Sequence, residues 1–277
     1  MKREDIKTVV EEAYADIARR GRPRCGPVAS CCESADVAQD VSTKVGYSEE
    51  ELHRVPEGAD LGLGCGNPVA LASLREGETV LDLGSGAGLD VFLAASTVGK
   101  NGRVIGVDMT AAMIERAREN AKRGNYENVE FRLGENEDLP LADNTADVVI
   151  SNCVINLSPD KPRVFREAFR VLKPGGRLMI SDLMLLRELP DPVKRSVKAY
   201  VGCVAGAMLR DEYVGAIRAA GFREIRILQE VPFPPKFLAN DPTAKAILED
   251  SSLTIEEVRE IASSVVSLRI SAVKPTA

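Results

Sequence analysis

Apolar residues recur along this chain with two periods, and the alternation between them outlines a layered α/β protein. Between residues 3 and 20, Ile6, Val9, Val10, Ala13, Tyr14 and Ile17 share one face at helical spacing, and Gly21 ends the run. From residue 78 the pattern becomes regular. TVLDLG predicts a strand, LDVFLAASTVG a helix, RVIGVD a strand and TAAMIERARENAKRG a helix. NVEFRLG, ADVVISN and GRLMISDLM predict further strands, with a helix through PDKPRVFREAFRVLK before the last of them. Strands alternating with helices of this length form a mostly parallel sheet with helices on both faces, and such sheets hold ligands at the carboxyl ends of their strands.

The flanks are less regular. GRPRCGPVASCCESADVAQD is rich in Gly, Pro and small polar residues and reads as an irregular loop, whereas Ser48 with Glu51 makes a capping box for a short helix in SEEELHRV. After residue 183 come helical patterns in DPVKRSVKAYVGCVAGAM and RDEYVGAIRAAG, a strand in FREIRIL and a proline-rich link, VPFPPKF. A helical stretch near 243 to 263 and a closing strand in VVSLRISAVKP complete the chain. The expected division is 1-70 for the N-terminal helix and cysteine-bearing loop, 71-183 for the core, and 184-277 for an insertion, C-terminal strands and a helical appendage.

The sharpest local motif is LDLGSGAG, with glycines at 84, 86 and 88, followed by Asp108 at the end of the next predicted strand. A dinucleotide fingerprint wants its third glycine three residues after the second, and position 89 is Leu; no phosphate loop of the GK[ST] type exists either. What remains is a nucleoside without a phosphate chain. Gly84, Gly86 and Gly88 let backbone approach it, and Asp108 accepts hydrogen bonds from its ribose hydroxyls. Taken alone, Asp108 is equally well an acid near a helix N-terminus.

Composition narrows the partners. The 277 residues are 44% hydrophobic, enough for a full-sized core. A net charge of -6 with no concentrated Lys and Arg argues against a nucleic-acid partner. No apolar run approaches the roughly 20 residues of a membrane span, and the charged first helix is unlike a signal peptide, so a cytoplasmic protein with its cysteines as thiols is expected. Nothing demands more than a monomer.

Six cysteines stand out: Cys65 in GLGCGNP, Cys153 in SNCVINL, Cys203 in VGCVAGA, and Cys25, Cys31 and Cys32 in the N-terminal loop. Read singly, each is an ordinary small apolar packing residue. Zinc is not expected, because no CxxC pair is present. The only histidine, His53, has no motif around it.

Residues 78 to 183 resemble the class I S-adenosylmethionine-dependent methyltransferases, a likeness that implies a seven-stranded sheet. It also implies cofactor binding by Asp82, Gly84, Ser85, Gly86, Gly88, Asp108, Met109, Glu135, Asn136 and Asn152, with Glu135 at the adenine and Asp82 near the methionine amino end. GLGCGNP, DLGSGAGLDVFLA, SNCVINLSPDK, RVLKPGGRLMISD and GCVAGAMLRDEY together are similar to the arsenite S-adenosylmethionine methyltransferases over nearly the whole chain. That resemblance implies that Cys65, Cys153 and Cys203 hold trivalent arsenic. It further implies that Cys31 or Cys32, with Cys25 as a third candidate, takes part in thiol-disulfide steps, and that a thioredoxin- or glutathione-type reductant restores the enzyme. The substrate would be arsenite or thiol-conjugated arsenite, and the segment carrying Cys203 a substrate lid. Soft As(III) prefers thiolate ligands, and unlike a hydroxyl or an acidic carbon it has no proton to surrender to a base. Two alternatives stay open: a carbon or oxygen methyltransferase of the quinone-biosynthesis kind, and an arsenical-binding module without turnover.

Overall fold

In a computed structural model of the chain, residues 3–20, 34–232 and 254–276 are described. The elements run α1 (Arg3–Arg20), α2 (Ser34–Lys44), α3 (Glu49–Arg54), α4 (Pro68–Leu71), β1 (Thr79–Leu83), α5 (Leu89–Val98), β2 (Arg103–Asp108), α6 (Ala111–Arg123), β3 (Val129–Leu133) and β4 (Ala146–Asn152). They continue with α7 (Lys161–Val171), β5 (Leu172–Leu185), α8 (Asp191–Lys194), α9 (Val197–Val201), α10 (Arg210–Ala219), β6 (Arg223–Pro232), α11 (Ile255–Ser263) and β7 (Val265–Val273). Among the described residues no helix is long and apolar enough to cross a membrane.

The strands form one sheet in the order β3-β2-β1-β4-β5-β7-β6. Neighbours from β3 through β5 are parallel, and β7 is inserted antiparallel between β5 and β6. This is the expected mostly parallel, Rossmann-like sheet; the antiparallel β7 is what the strand pattern alone left undetermined. Strand order reverses beside β1, whose neighbours are β2 and β4, so a ligand crevice opens at the carboxyl ends of β1 and β4.

Period-two alternation along β1 feeds a separate core on each face of the sheet. Leu81 and Leu83 pack with Val164, Phe165 and Ala168 of α7 and Tyr213 and Ile217 of α10. Val80 packs on the other face with Val91, Phe92 and Ala95 of α5 and with Ile114 and Ala117 of α6. Burying a side chain such as Phe92 or Phe165 stabilises by about 2–3 kcal/mol.

Several local readings change. Residues 34–40, expected to belong to an irregular loop, lie in α2; its Val37 and Val41 lead to Val45 at helical spacing of four, a signal masked by the preceding Gly, Pro and Cys residues. The helical run after residue 190 is two short helices, because the Ser196 side chain accepts from the Ala199 amide and starts α9 afresh. β6 extends into the proline-rich link as far as Pro232, which an edge strand tolerates. The Ser48–Glu51 capping box is formed as expected. Of the stretch near 243 to 263, residues 255–263 are helical and 243–253 lie outside the described residues.

Candidate active site

The chain leaves β1 through a turn that requires glycine. Gly84 has φ 66°, and a Cβ there would sit 2.2 Å from Val154 Cγ2. The turn is closed by the Ser85 amide donating to the Val107 carbonyl at 3.0 Å and the Gly86 amide donating to Asp108 Oδ2 at 2.9 Å. The other Asp108 oxygen accepts from the Thr110 amide at 2.8 Å. Asp108 thus ties the turn to the start of α6 and also lines the cavity.

Of the residues expected to hold a cofactor, Asp82, Gly84, Ser85, Gly86, Asp108, Met109, Asn136 and Asn152 line one cavity at the β1/β4 crevice. Gly88 stands behind it as the N-cap of α5. Glu135 is half-exposed and pairs with Lys7 at 2.6 Å, while its neighbour Glu137 is buried, lines the cavity and accepts from Ser158 Oγ at 2.6 Å.

The cavity is rich in carboxyl groups. Burial, followed by the carboxylates of Asp90 and Asp108, pushes Asp82 well above the usual carboxylate range. Burial also raises Asp108, and it lifts Asp90 to about 6 against the hydrogen bonds from Asn152 and Tyr47. Such a wall favours a cationic ligand. Two polar atoms buried in the lining, Ser85 Oγ and Asn136 Oδ1, have no hydrogen-bond partner. Orphaned atoms of this kind mark where a ligand's donors or acceptors fit. The residues present thus fit a nucleoside cofactor carrying positive charge.

Cys153 lies one residue past β4 with φ 56°, and Cys203 follows α9 with φ 63°, so two cysteines hold left-handed backbone. For a residue with a Cβ this conformation costs of order 1 kcal/mol or more and persists only when surroundings enforce it. Here the Cys203 thiol donates to the Cys153 carbonyl at 3.0 Å. Cys65 comes from the loop before α4: its amide donates to Asn152 Oδ1 at 3.0 Å, its thiol to the Ser181 carbonyl at 3.5 Å, and its carbonyl accepts from Ser267 Oγ at 2.7 Å. All three cysteines are free, and Cys153 also lines the cofactor cavity.

The thiols are held neutral. Burial raises Cys65, and the thiol of Cys153 together with burial raises Cys203 well above its ordinary value. For Cys153, a hydrogen bond from Cys203 favours the thiolate, but Cys65 and burial prevail and push it well up.

Asn152 joins the two sides. Its Nδ2 reaches Tyr47 Oη at 2.8 Å, the Gly66 carbonyl at 2.8 Å and Asp90 Oδ2 at 3.0 Å, while its Oδ1 holds the Cys65 amide. Helix α1 covers the junction: Lys7, Val10 and Tyr14 line the cavity, and burial followed by the neighbouring Cys203 and Cys153 raises Tyr14 well above its usual value. Sequence reasoning missed Lys7, Tyr14, Tyr47, Asp90, Glu137 and Asp182. Only Asp182 left a signal, a lone acid in the apolar strand LMISDLM. Cys25, Cys31 and Cys32 lie outside the described residues, and His53 is exposed.

A methyltransferase-domain family matches residues 74–230. An arsenite methyltransferase from Halobacterium salinarum is 50% identical over 231 residues, 81% of this chain and 59% of that protein. The solved structure of an arsenic(III) S-adenosylmethionine methyltransferase from Chlamydomonas reinhardtii is 33% identical, covering 86% of this chain and 73% of that one with a TM-score of 0.62. A ubiquinone/menaquinone biosynthesis C-methyltransferase from an Enterobacter species is 30% identical, covering 71% of this chain and 74% of that protein. The chain spans between about half and three fifths of the length of the curated arsenite methyltransferases it matches.

Proposed function

The chain belongs to the methyltransferase-domain family and to its arsenite-methyltransferase branch, and from that premise we propose that it transfers methyl from S-adenosylmethionine to trivalent arsenic held by Cys65, Cys153 and Cys203. The observation that carries the proposal is the position of Cys153. It lines the cavity of the glycine turn on one side; on the other its sulfur lies within 4.8 Å of that of Cys65, and its carbonyl accepts the Cys203 thiol. A soft atom bound there faces the cofactor directly.

When bound, S-adenosylmethionine supplies an electrophilic sulfonium methyl and leaves as S-adenosylhomocysteine. The carboxylates of Asp82, Asp90 and Asp108 suit its positive charge, and Ser85 and Asn136 offer it unpaired polar atoms. Neutral thiols match neutral arsenite: each S–H proton leaves with one arsenic hydroxyl as water, so no charge is stranded in the buried site. Holding arsenic on three sulfurs directs its lone pair, and alignment is the main contribution available to a simple displacement. Forming the As–C bond uses that lone pair and oxidises arsenic by two electrons. A thiol of Cys31 or Cys32, with Cys25 as a third candidate, returns them by closing a disulfide with a site cysteine that leaves arsenic, its proton going to solvent, and an external thiol reductant reopens it. Free thiols suit a reducing compartment, and the proposal places the enzyme in the cytoplasm.

The test is incubation with methyl-labelled S-adenosylmethionine, arsenite and a thiol reductant. The proposal expects labelled methylarsenicals and matching S-adenosylhomocysteine. Label transferred to a quinone precursor but not to arsenite assigns the chain to the carbon-methylating alternative. Stoichiometric arsenite binding with no S-adenosylhomocysteine makes it a binding module.

A further inference from the structure

The sulfur atoms of Cys65 and Cys153 have a second neighbour besides Cys203. They and a carboxylate oxygen of Asp182 all lie within 4.8 Å of one another. Asp182 is wholly buried on β5. Its Oδ1 accepts from Asn156 Nδ2 at 2.8 Å and from the Leu183 amide at 2.9 Å, and its Oδ2 accepts from Tyr213 Oη at 3.0 Å. Three donors thus fix the direction of the carboxylate, as outer-shell partners do for metal ligands. The Cys203 thiol is turned instead toward the Cys153 carbonyl.

Two overlapping donor sets result. The arsenic set proposed above has three sulfurs; the set that the fold gathers within 4.8 Å has two sulfurs and an oxygen and does not include Cys203. Trivalent arsenic is soft and takes thiols in preference to carboxylates, whereas borderline divalent ions accept mixed sulfur and oxygen donors. Tetrahedral Zn–S and Zn–O bonds of about 2.3 and 2.0 Å put donors about 3.5–3.8 Å apart, inside the 4.8 Å limit that these three atoms meet. Two thiols that surrender their protons to solvent, with one carboxylate, more than balance a double positive charge.

We propose that Cys65, Cys153 and Asp182 form a site for a thiophilic divalent cation of the Zn²⁺ and Cd²⁺ class, which competes with trivalent arsenic by occupying two of its sulfurs. The competition rests on the arsenic reading of Cys65 and Cys153; the cation site does not. Sequence spacing disfavours such a site, since its ligands stand far apart along the chain and only the fold gathers them.

Cadmium tests this through the ultraviolet sulfur-to-cadmium charge-transfer band of the full chain, titrated without cofactor or arsenite. The expected result is one Cd²⁺ per chain. Asp182→Asn weakens it at least about tenfold, as loss of a ligand does, while Cys203→Ser changes it by no more than about threefold. Arsenite then discharges the band from the wild-type protein. Cadmium held as tightly by Asp182→Asn as by wild type, or lost in Cys203→Ser, overturns the proposal in favour of an all-sulfur site. A band that survives excess arsenite overturns the competition. Should Asp182→Asn fail to fold, the cadmium NMR shift of the wild-type protein decides between two and three sulfur ligands. Because no step uses methyl transfer, a chain that binds cadmium but never methylates arsenite separates this proposal from the functional one.

Discussion

Gly84 and Gly86 turn the chain through left-handed backbone beside the cofactor cavity, at φ 66° and 51°; across β4 the same conformation is adopted by Cys153 and Cys203, at 56° and 63°. Glycine takes it without steric cost, and cysteine does not. The cofactor side can therefore be built from one continuous turn whose own amides satisfy Asp108. The thiol side is assembled from distant segments and held by contacts between them, such as the Cys203 thiol on the Cys153 carbonyl and Asn152 on the Cys65 amide. One half owes its shape to local geometry, the other to tertiary structure.

The contrast predicts separable losses, and the largest belongs to the thiol side. Cys153→Ser should lower arsenite methylation by at least about a thousandfold while S-adenosylmethionine affinity stays within about threefold, read by turnover and calorimetry. A variant that lost both would merge the two halves. Next in size, Gly84→Ala puts a methyl group against Val154 on left-handed backbone and should cost about 3 kcal/mol of stability in urea unfolding. Asp108→Ala should weaken the cofactor about 30-fold, the loss of about 2 kcal/mol of charged hydrogen bonding, with arsenite binding kept.

The smallest expected effect is a slope. Asp90 titrates at about 6 when folded and nearer 4 when unfolded, so the folded state holds its proton over the interval between. Stability from this group is full below pH 4 and declines as pH rises to 6, by at most about 1.4 kcal/mol per pH unit. Asp90→Asn keeps an acceptor for Tyr47 and should flatten that part of the Tm-against-pH profile. An unchanged profile would place the burial penalty elsewhere.

The same division explains what the sequence made legible. Strand and helix periods, the glycine turn and Asp108 are short-range patterns, and they could be read directly. So could the motifs around Cys65, Cys153 and Cys203, although their approach to one another depends on β4, the α9 exit and the loop before α4 packing at one rim. Asp182 shows why the remainder was hidden. It occupies one position in an apolar strand, and its nearness to Cys65 and Cys153 exists only in three dimensions. Tyr14 and Lys7 lie on an ordinary amphipathic helix, and nothing in that pattern says α1 covers the site. The antiparallel β7, likewise, has no local signature.

The central claim, that one arsenic atom is held by Cys65, Cys153 and Cys203 together, is tested most directly by X-ray absorption at the arsenic edge on the arsenite-loaded protein and its Cys203→Ser variant. Three sulfur neighbours in the first, falling to two sulfurs with an oxygen in the second, is the predicted result. An oxygen-dominated shell in the wild-type protein, or a sulfur count unchanged by the substitution, would contradict it.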